Sequence, residues 1–343
     1  MNFKALLNTL GTTSTTLPIV ILYVTEGCNL QCLSCSYREP LPNELSLSEI
    51  DELARALARF GLRRIVYSGG EPLVRRDFKK ICEIFQHRNV QQTLLTNGLL
   101  LEKLADDLRE YCSEIIVSID GANEQIHNTI RGVHSFNQIT KGIIKLTQYS
   151  PRPRISTRTV LQKNNFRQVM EMVDLGKSLG VDRVSFLSAD VSSLGFGREM
   201  RGSISPNGAI LLNESEAAEF RELVEKMVVD YRRDFEKRFI GESPGKLFHI
   251  VQYFEAMLGK APFPLNRCNA PNISTVITST GEVKPCYFLP AVGNIRSYDI
   301  TEIANNPNLR EIRKNVKNLS LEECKRCVCT LYISPVAAFL DRF

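Results

Sequence analysis

Apolar and polar positions follow two periods along the first half of the chain, one typical of strands and one typical of helices. Residues Pro18 to Thr25 are apolar and β-branched, which is the pattern of a buried strand. Ser46-Leu47-Ser48-Glu49 has the form of a capping box and precedes apolar residues at helical spacing, so a helix is predicted from Leu47 to Phe60. A strand followed by a helix predicts a β-α unit.

The same order repeats as far as residue 187. Further strands are predicted at Arg64–Tyr67, Gln92–Thr96, Ile115–Ile119, Arg154–Leu161 and Arg183–Leu187, and further helices at Asp77–His87, Leu101–Tyr111, Ser135–Tyr149 and Phe166–Leu179. Strands that alternate with helices predict an α/β fold of parallel units, either an open doubly wound sheet or a full or partial barrel. Ligands bind at the carboxyl ends of the strands in such folds.

Polar segments that contain glycine follow the predicted strands rather than the helices. They are Glu26-Gly27-Cys28, Ser68-Gly69-Gly70-Glu71-Pro72, Thr96-Asn97-Gly98 and Ser118-Ile119-Asp120-Gly121. We therefore expect the functional site at this end of the sheet.

The pattern changes after residue 187. An irregular loop is predicted at Ser188–Gly208, helices at Ser215–Phe239 and Lys246–Leu258, and a hairpin of Ile273–Thr278 and Glu282–Phe288 that turns at Thr280-Gly281. The predicted organisation is an N-terminal extension (1–17), a β-α domain (18–187), a loop and helical insertion near the ligand-binding end (188–263) and a C-terminal domain (264–343).

Charge and composition exclude some classes of function. The net charge of +5 is mild and is not gathered in a basic block, which gives nucleic-acid binding little support. No long uninterrupted apolar run predicts a membrane span, and the N-terminus is a poor secretory signal, so a cytoplasmic protein is expected. In a reducing compartment the ten cysteines point to metal or redox chemistry rather than disulfides.

Cys28, Cys32 and Cys35 form a C-x3-C-x2-C cluster directly after the first strand. Three thiolates holding a four-iron cluster leave one iron open to a small molecule. Cysteine spacing alone is shared with zinc sites, so a zinc site lacking one ligand stays open as an alternative.

A second set of thiols comes from the C-terminal hairpin and a late turn: Cys268, Cys286, Cys324 and Cys327. Four thiolates suit either a closed zinc site or a four-iron cluster, and their chemistry alone does not choose. Cys329 is a spare thiol, either an alternative ligand or a small apolar residue in the core.

The first cysteine cluster, together with Gly69-Gly70-Glu71-Pro72 after the second strand, resembles the signature of the radical S-adenosylmethionine (SAM) superfamily. The resemblance covers about Pro18 to Leu187 and implies a (β/α)6 partial TIM barrel. It also implies that the open iron binds SAM and that reductive cleavage yields a 5'-deoxyadenosyl radical, which abstracts hydrogen from substrate. Such an enzyme takes electrons from a donor such as flavodoxin or ferredoxin.

The resemblance assigns SAM contacts at matching positions. They are Gly69, Gly70, Glu71, Asn97, Ser118, Asp120 and Arg131. Local alternatives are a type I' turn at Asn97-Gly98, a helix cap at Asp120 and a solvated surface charge at Arg131. Ser34 stands where the family has an aromatic residue near the adenine, and Tyr37 is the proposed replacement.

The C-terminal cysteines resemble the twitch and SPASM extensions of this superfamily, which carry auxiliary 4Fe-4S clusters. Five cysteines beyond Phe263 are too few for two clusters, so one auxiliary cluster is predicted. The function implied is a radical SAM oxidoreductase that dehydrogenates or cross-links a peptide or small molecule. The alternatives are a radical SAM transferase or epimerase, and a non-catalytic zinc or iron-sulfur binding protein; no catalytic base is assigned.

Overall fold

The computed structural model describes residues 2–193, 195–198 and 207–341. Contacts between residues divide the chain into two compact units. The first unit contains Met1–Asn29, Tyr37–Leu95 and Asn266–Phe343, and the second contains Leu30–Ser36 and Thr96–Leu265. The domain boundaries proposed from the sequence stay a prediction.

The strands of the first unit form a sheet that joins the two ends of the chain. They are β1 (Ile19–Thr25), β2 (Arg64–Gly69), β3 (Gln91–Thr96), β7 (Ser274–Ile277), β8 (Glu282–Lys284) and β9 (Gly293–Asn294). Their order is β3-β2-β1-β7-β8-β9. The pairs of β1 with β2, β2 with β3 and β1 with β7 are parallel, whereas β7, β8 and β9 pair antiparallel. Residues of β1 are buried at every position, which explains its uninterrupted apolar sequence.

The predicted C-terminal hairpin is confirmed, with a shorter second strand. Gly281 has φ +86°, a value that favours glycine, and β8 ends at Lys284 rather than at Phe288. Pro285 follows, and because proline has no amide hydrogen it cannot extend the ladder. Pairing of β7 with β1 was not anticipated, because periodicity does not identify the partner of a strand.

Helices of the first unit lie at Phe3–Leu10, Leu47–Arg59, Phe78–Gln86, Ala270–Ile273, Ile300–Ile303, Pro307–Lys317, Glu322–Lys325 and Pro335–Phe339. The capping box before the second of these is confirmed. The amide of Glu49 donates to Ser46 Oγ at 3.3 Å, and the amide of Ser46 donates to Glu49 Oε2 at 2.8 Å.

The second unit repeats the parallel β-α pattern. Its strands are β4 (Glu114–Ser118), β5 (Arg154–Leu161) and β6 (Arg183–Ser188), in the order β6-β5-β4 and parallel throughout. Its helices are Leu101–Tyr111, Glu124–Arg131, Phe136–Thr147, Val169–Ser178, Asn207–Ile210, Glu214–Asp230, Arg232–Glu236 and Pro244–Met257. The predicted α/β class with parallel strands is therefore confirmed.

Three predictions in this unit need correction. Glu124–Arg131 is a helix that the sequence analysis did not predict. The single helix expected at 215–239 is two helices, because Tyr231 leaves helical geometry with φ −107° and ψ 23° while its hydroxyl donates to Asp174 at 2.8 Å. The helix expected from Phe166 begins as a 3-10 turn. Of the loop predicted at 188–208, residues 194 and 199–206 lie outside the described residues.

Two cysteines outside the two predicted metal sites are buried in the core, Cys82 at 1% and Cys112 at 5% exposure. In the part of the chain that the structure describes, no helix combines the length and apolarity that crossing a membrane requires.

Candidate metal and cofactor sites

The glycine pair that follows β2 fits closely against the backbone that leads to Cys28. Gly69 has φ +115°, and a Cβ there would lie 2.2 Å from the carbonyl oxygen of Thr25. A Cβ on Gly70 would lie 2.3 Å from the carbonyl oxygen of Gly27, and the Gly70 amide donates to the Thr25 carbonyl at 2.9 Å. Glycine is thus required at both positions by this chain's own backbone, whether or not a ligand approaches.

Glu71 is 1% exposed and belongs to the same arrangement. Its amide donates to the carbonyl of Gly27 at 2.8 Å, and its carboxylate accepts from the amide of Leu73 at 3.0 Å. Glu71 therefore caps the short turn Pro72–Val74. The Gly-Gly-Glu-Pro segment therefore holds the backbone between the end of β1 and Cys28 in place.

The loop that carries Cys32 is held by the helix Glu124–Arg131. Amides of Gln31 and Leu33 donate to the carbonyls of Arg131 and Ile130, each at 3.1 Å. These carbonyls lie in the last turn of the helix, where the intrahelical acceptors have no partners of their own. The helix that periodicity missed therefore positions the cysteine loop.

Arg131 links this loop to a buried carboxylate. Its Nη2 lies 2.8 Å from Asp120 Oδ2, and its Nη1 donates to Cys32 Sγ at 3.6 Å. The two charged side chains are 11% and 5% exposed, which rules out a solvated surface charge at Arg131. Arg131 Nε is buried with no hydrogen-bond partner. A buried donor of this kind is compatible with an added acceptor group.

Asp120 is fixed from several sides at the end of β4. Its Oδ1 accepts from the amide of Val160 at 2.8 Å, and its backbone carbonyl accepts from Asn165 Nδ2 at 3.0 Å. Burial raises the pKa of its carboxyl, and Arg131 and the Val160 amide oppose that rise. The alternative of a helix cap at Asp120 is wrong, because Asn123 caps the helix by accepting from the Ile126 amide at 3.0 Å.

His127 is a member of this network that the sequence did not single out. It is fully buried, and its Nδ1 accepts from the Asp120 amide at 3.3 Å. Burial lowers the pKa of His127 to about 3, with a smaller contribution from Arg131. The imidazole is therefore neutral at physiological pH, with its proton on Nε2.

Residues 195–198 follow β6 in the chain and reach the third cysteine. The amide of Ser36 donates to the carbonyl of Phe196 at 2.9 Å, and Cys35 Sγ lies 3.8 Å from the same oxygen. A buried ion pair holds the segment, with Arg198 Nη2 2.6 Å from Asp190 Oδ2. No sequence pattern marked these residues, since the contact joins positions about 160 residues apart.

Other residues assigned to SAM have separate surroundings. Asn97 is 7% exposed and accepts from the Leu99 amide at 3.0 Å; a type I' turn is not formed, since Gly98 has positive φ and Asn97 does not. Ser118 ends β4 opposite Arg158. Tyr37 belongs to the first unit, where it is 7% exposed and packs on Tyr23. The SAM contacts of all these residues stay predictions.

The C-terminal thiols are brought together in the first unit. Cys268, Cys286, Cys324, Cys327 and the spare Cys329 line one cavity, together with Asn266 and Phe288. Backbone amides donate hydrogen bonds to the sulfurs. The amide of Ala270 donates to Cys268 Sγ at 3.5 Å, and the amides of Phe288 and Leu289 donate to the sulfur of Cys286. Hydrogen bonds to sulfur are a means by which proteins set cluster potentials. The residues therefore fit a cluster held by thiolates.

Protonation of these thiols is set by burial. Burial raises the pKa of Cys286 to about 11 and that of Cys324 to about 12, and neighbouring cysteines add to the rise. Without metal the side chains are neutral thiols, and their protons leave when metal binds. Within the described residues, no three His, Cys, Asp or Glu side chains converge closely enough to hold a single metal ion.

Comparison with known protein families identifies two domains in this arrangement. The Radical SAM superfamily model matches residues 22–186, and the SPASM iron-sulfur cluster-binding domain model matches residues 268–328. The chain therefore contains a radical SAM domain followed by a SPASM domain. The predicted cofactors, SAM and iron-sulfur clusters, are confirmed at this level.

Individual relatives are more distant. The chain is 32% identical over 177 residues to a probable GTP 3',8-cyclase from Methanococcus vannielii. The matched region covers 49% of this chain and 59% of that relative. It is 26% identical over 319 residues to the antilisterial bacteriocin subtilosin biosynthesis protein AlbA from Bacillus subtilis, which covers 89% of this chain and 63% of AlbA. These matches span somewhat less than two thirds of the curated relatives.

Among solved structures, Streptococcus suis SuiB bound to S-adenosylmethionine is similar with a TM-score of 0.67 and 19% identity. The similarity covers 94% of this chain and 75% of SuiB. It confirms the predicted α/β fold class, and the two family models supply the radical SAM and C-terminal SPASM assignments.

Proposed function

We propose that this protein is a radical SAM oxidoreductase that modifies a peptide or small-molecule substrate by dehydrogenation or cross-linking. When bound, SAM and its cluster supply a 5'-deoxyadenosyl radical that abstracts one hydrogen atom from the substrate. Cys28, Cys32 and Cys35 would hold that cluster, and Cys268, Cys286, Cys324 and Cys327 would hold the auxiliary one. An outside donor such as flavodoxin or ferredoxin would supply the initial electron.

The observation that carries the proposal is the presence of two unlike thiol sites in one chain. The first offers three cysteines, which leaves one iron of a four-iron cluster without a protein ligand. The second offers a complete set of four, with a fifth thiol in the same cavity. A site without an open iron is suited to accepting an electron rather than to binding substrate, and oxidation of a substrate radical releases one electron.

The residues around the first loop would position SAM. Arg131 would bind the methionyl carboxylate through its buried guanidinium, since its Nε has no partner within the protein. Asp120 keeps that guanidinium in place at 2.8 Å. In the first unit, Gly69 and Gly70 let the backbone after β2 pack against the backbone that leads to Cys28, and Glu71 fixes the turn that follows.

A peptide is the substrate class that we favour. AlbA belongs to the biosynthesis of the bacteriocin subtilosin, and SuiB has been crystallised bound to its precursor peptide SuiA. A second candidate is chemistry on a small molecule without net oxidation, favoured by the 32% identity to a probable GTP 3',8-cyclase over 177 residues. That match covers the β-α half of this chain, whereas the match to AlbA covers 89% of it.

Anaerobic reconstitution tests the proposal. The protein is loaded with iron and sulfide, reduced with dithionite and given SAM, and 5'-deoxyadenosine and methionine are measured. We expect 5'-deoxyadenosine from the wild type and none from Cys32→Ala, while Cys82→Ala, which removes a buried thiol outside both sites, behaves as the wild type. A fully iron-loaded wild type that forms no 5'-deoxyadenosine would overturn the enzymatic proposal and favour a binding protein.

A further inference from the structure

Three tyrosine rings stand in a row in the first unit, two of them buried and the third half-buried. Tyr23 of β1 packs edge-on against Tyr37, with ring centroids 6.1 Å apart, and stacks with Tyr287 at 6.2 Å and an interplanar angle of 28°. The Tyr287 ring also packs against the Phe288 ring, with centroids 6.3 Å apart. We call Tyr37, Tyr23 and Tyr287 the tyrosine row.

The tyrosine row begins beside the first cysteine loop. Tyr37 lies two positions after Cys35 in the sequence. Its neighbour Arg38 offers the carbonyl that accepts from the Cys28 amide at 2.8 Å. Tyr37 is 7% exposed, so this end of the row is enclosed by protein.

The other end of the row reaches the auxiliary thiols. Tyr287 directly follows Cys286, which lines the auxiliary cavity. Tyr23 lies between the two ends of the row and interacts electrostatically with groups at each. Burial raises the pKa of Tyr23 well above its usual value, and Tyr37 at one end and Tyr287 and Cys286 at the other add to that rise. Tyr23 is the one aromatic residue of β1, whose positions from Ile19 to Val24 are otherwise Ile, Val or Leu and which is buried throughout.

We propose that the tyrosine row is the path by which an electron passes between the auxiliary site and the first cysteine site. This inference rests on the proposed function, which places a cluster at each end. One electron leaves the site at one end, which is oxidised by one unit, and arrives at the other, which is reduced by one unit. No bond is made or broken, no proton moves and no further reactant is needed.

The rings act as a tunnelling medium and are not themselves oxidised. Iron-sulfur clusters work between about −700 and +450 mV, and a neutral phenol loses an electron only at far more positive potential. What the rings provide is a contiguous, polarisable contact in an interior packed without gaps. Replacing the central ring by a smaller aliphatic side chain breaks that contact and leaves space in its place.

The test measures transfer between the clusters in the reconstituted protein. A light pulse with deazaflavin places electrons on the protein, and freeze-quenched EPR follows their redistribution, with an analogue of SAM that cannot be cleaved added so that the two signals differ. We expect Tyr23→Leu to slow redistribution severalfold relative to wild type. Tyr23→Phe keeps the ring and should match wild type, as should Phe85→Leu, a ring loss elsewhere in the same core where Phe85 is 0% exposed.

Iron content and both midpoint potentials are measured for each variant, so that a lost cluster is not mistaken for slow transfer. If Tyr23→Leu does not load iron, Tyr287→Leu provides the same break at a half-buried position. Redistribution at the wild-type rate in the loaded leucine variant would overturn the tyrosine row, and so would equal slowing by Phe85→Leu. Failure of the proposed function looks different, because the wild type itself would then lack 5'-deoxyadenosine formation or a second cluster.

Discussion

The two cysteine sites are built in different ways. The auxiliary thiols all belong to one compact unit and line one cavity, in which backbone amides already face the sulfurs. Cys28 belongs to the first unit, whereas Cys32 and Cys35 belong to the second. Their loop is irregular and is fixed by distant partners, Arg131 and Phe196.

The difference corresponds to the chemistry expected at each site. A closed site must bind its group with every ligand and needs no access, so burial that holds the thiols neutral until metal binds is no disadvantage. An open site must leave one metal position free and hold a loop in shape without closing it. Contacts from a helix end and from the Phe196 carbonyl hold the part of the loop that carries Cys32 and Cys35.

The largest effect should come from removing each set of thiols in turn. A variant with Cys28, Cys32 and Cys35 all changed to Ala should lose 5'-deoxyadenosine formation completely and about half its iron, because the auxiliary ligands remain. A variant with Cys324→Ala and Cys327→Ala should lose the other half and keep reductive cleavage of SAM. Iron and zinc are counted by elemental analysis alongside the 5'-deoxyadenosine assay.

The Cys82→Ala variant serves as control for both sets, since Cys82 is buried away from either site. An iron-free triple variant that contains zinc would show that the second site is a zinc site. Loss of 5'-deoxyadenosine formation in the Cys324 and Cys327 variant, with the first cluster still loaded, would show that the two sites do not act separately.

The sequence predicted the repeating elements well, because strand and helix periods are local. Leu101–Tyr111 and Arg154–Leu161 were predicted with the observed bounds, and both metal motifs were found from spacing. What it missed depends on distant partners. The helix ending at Arg131 is short and polar, and its role appears only when its last carbonyls meet Gln31 and Leu33. Likewise, nothing local tells that Ser274 pairs with Ile19.

The next effect in size concerns the ion pair that supports the open site. Arg131→Gln leaves Asp120 buried without its partner, and breaking a buried pair costs about 3–5 kcal/mol in the free energy of unfolding. The double variant with Asp120→Asn removes both charges and should recover part of that loss. Urea unfolding under anaerobic conditions measures the free energy of unfolding of each variant. The exposed pair of Arg232 and Glu236 is the control, where breaking the pair should change that free energy by less than about 1 kcal/mol.

If Arg131→Gln lowers the free energy of unfolding no more than breaking the exposed pair does, then the loop does not depend on Arg131. Its hydrogen bond to Cys32 would then not contribute to stability. A double variant no more stable than the single one would instead indicate that the guanidinium matters through Cys32 and not through Asp120.

The smallest effect is a dependence on pH that should belong to the second unit and not to the auxiliary cavity. The pKa of His127 is about 3 in the folded protein, because of burial, against about 6.5 in an unfolded chain. The unfolded state therefore takes up the proton first as the pH falls below about 6.5, so stability is present above that pH and is lost as the pH decreases towards 3. Between pH 7.5 and 5.0 the loss from this one group amounts to about 2 kcal/mol.

His127→Asn keeps an acceptor near the Asp120 amide but does not titrate, and the difference in unfolding free energy between the two pH values should shrink by that amount. His87→Asn, which removes a histidine at a helix end, is measured alongside it. An unchanged difference in His127→Asn would mean that the imidazole takes up its proton at the same pH in the folded and the unfolded chain, so that burial in the network around Asp120 does not lower its pKa.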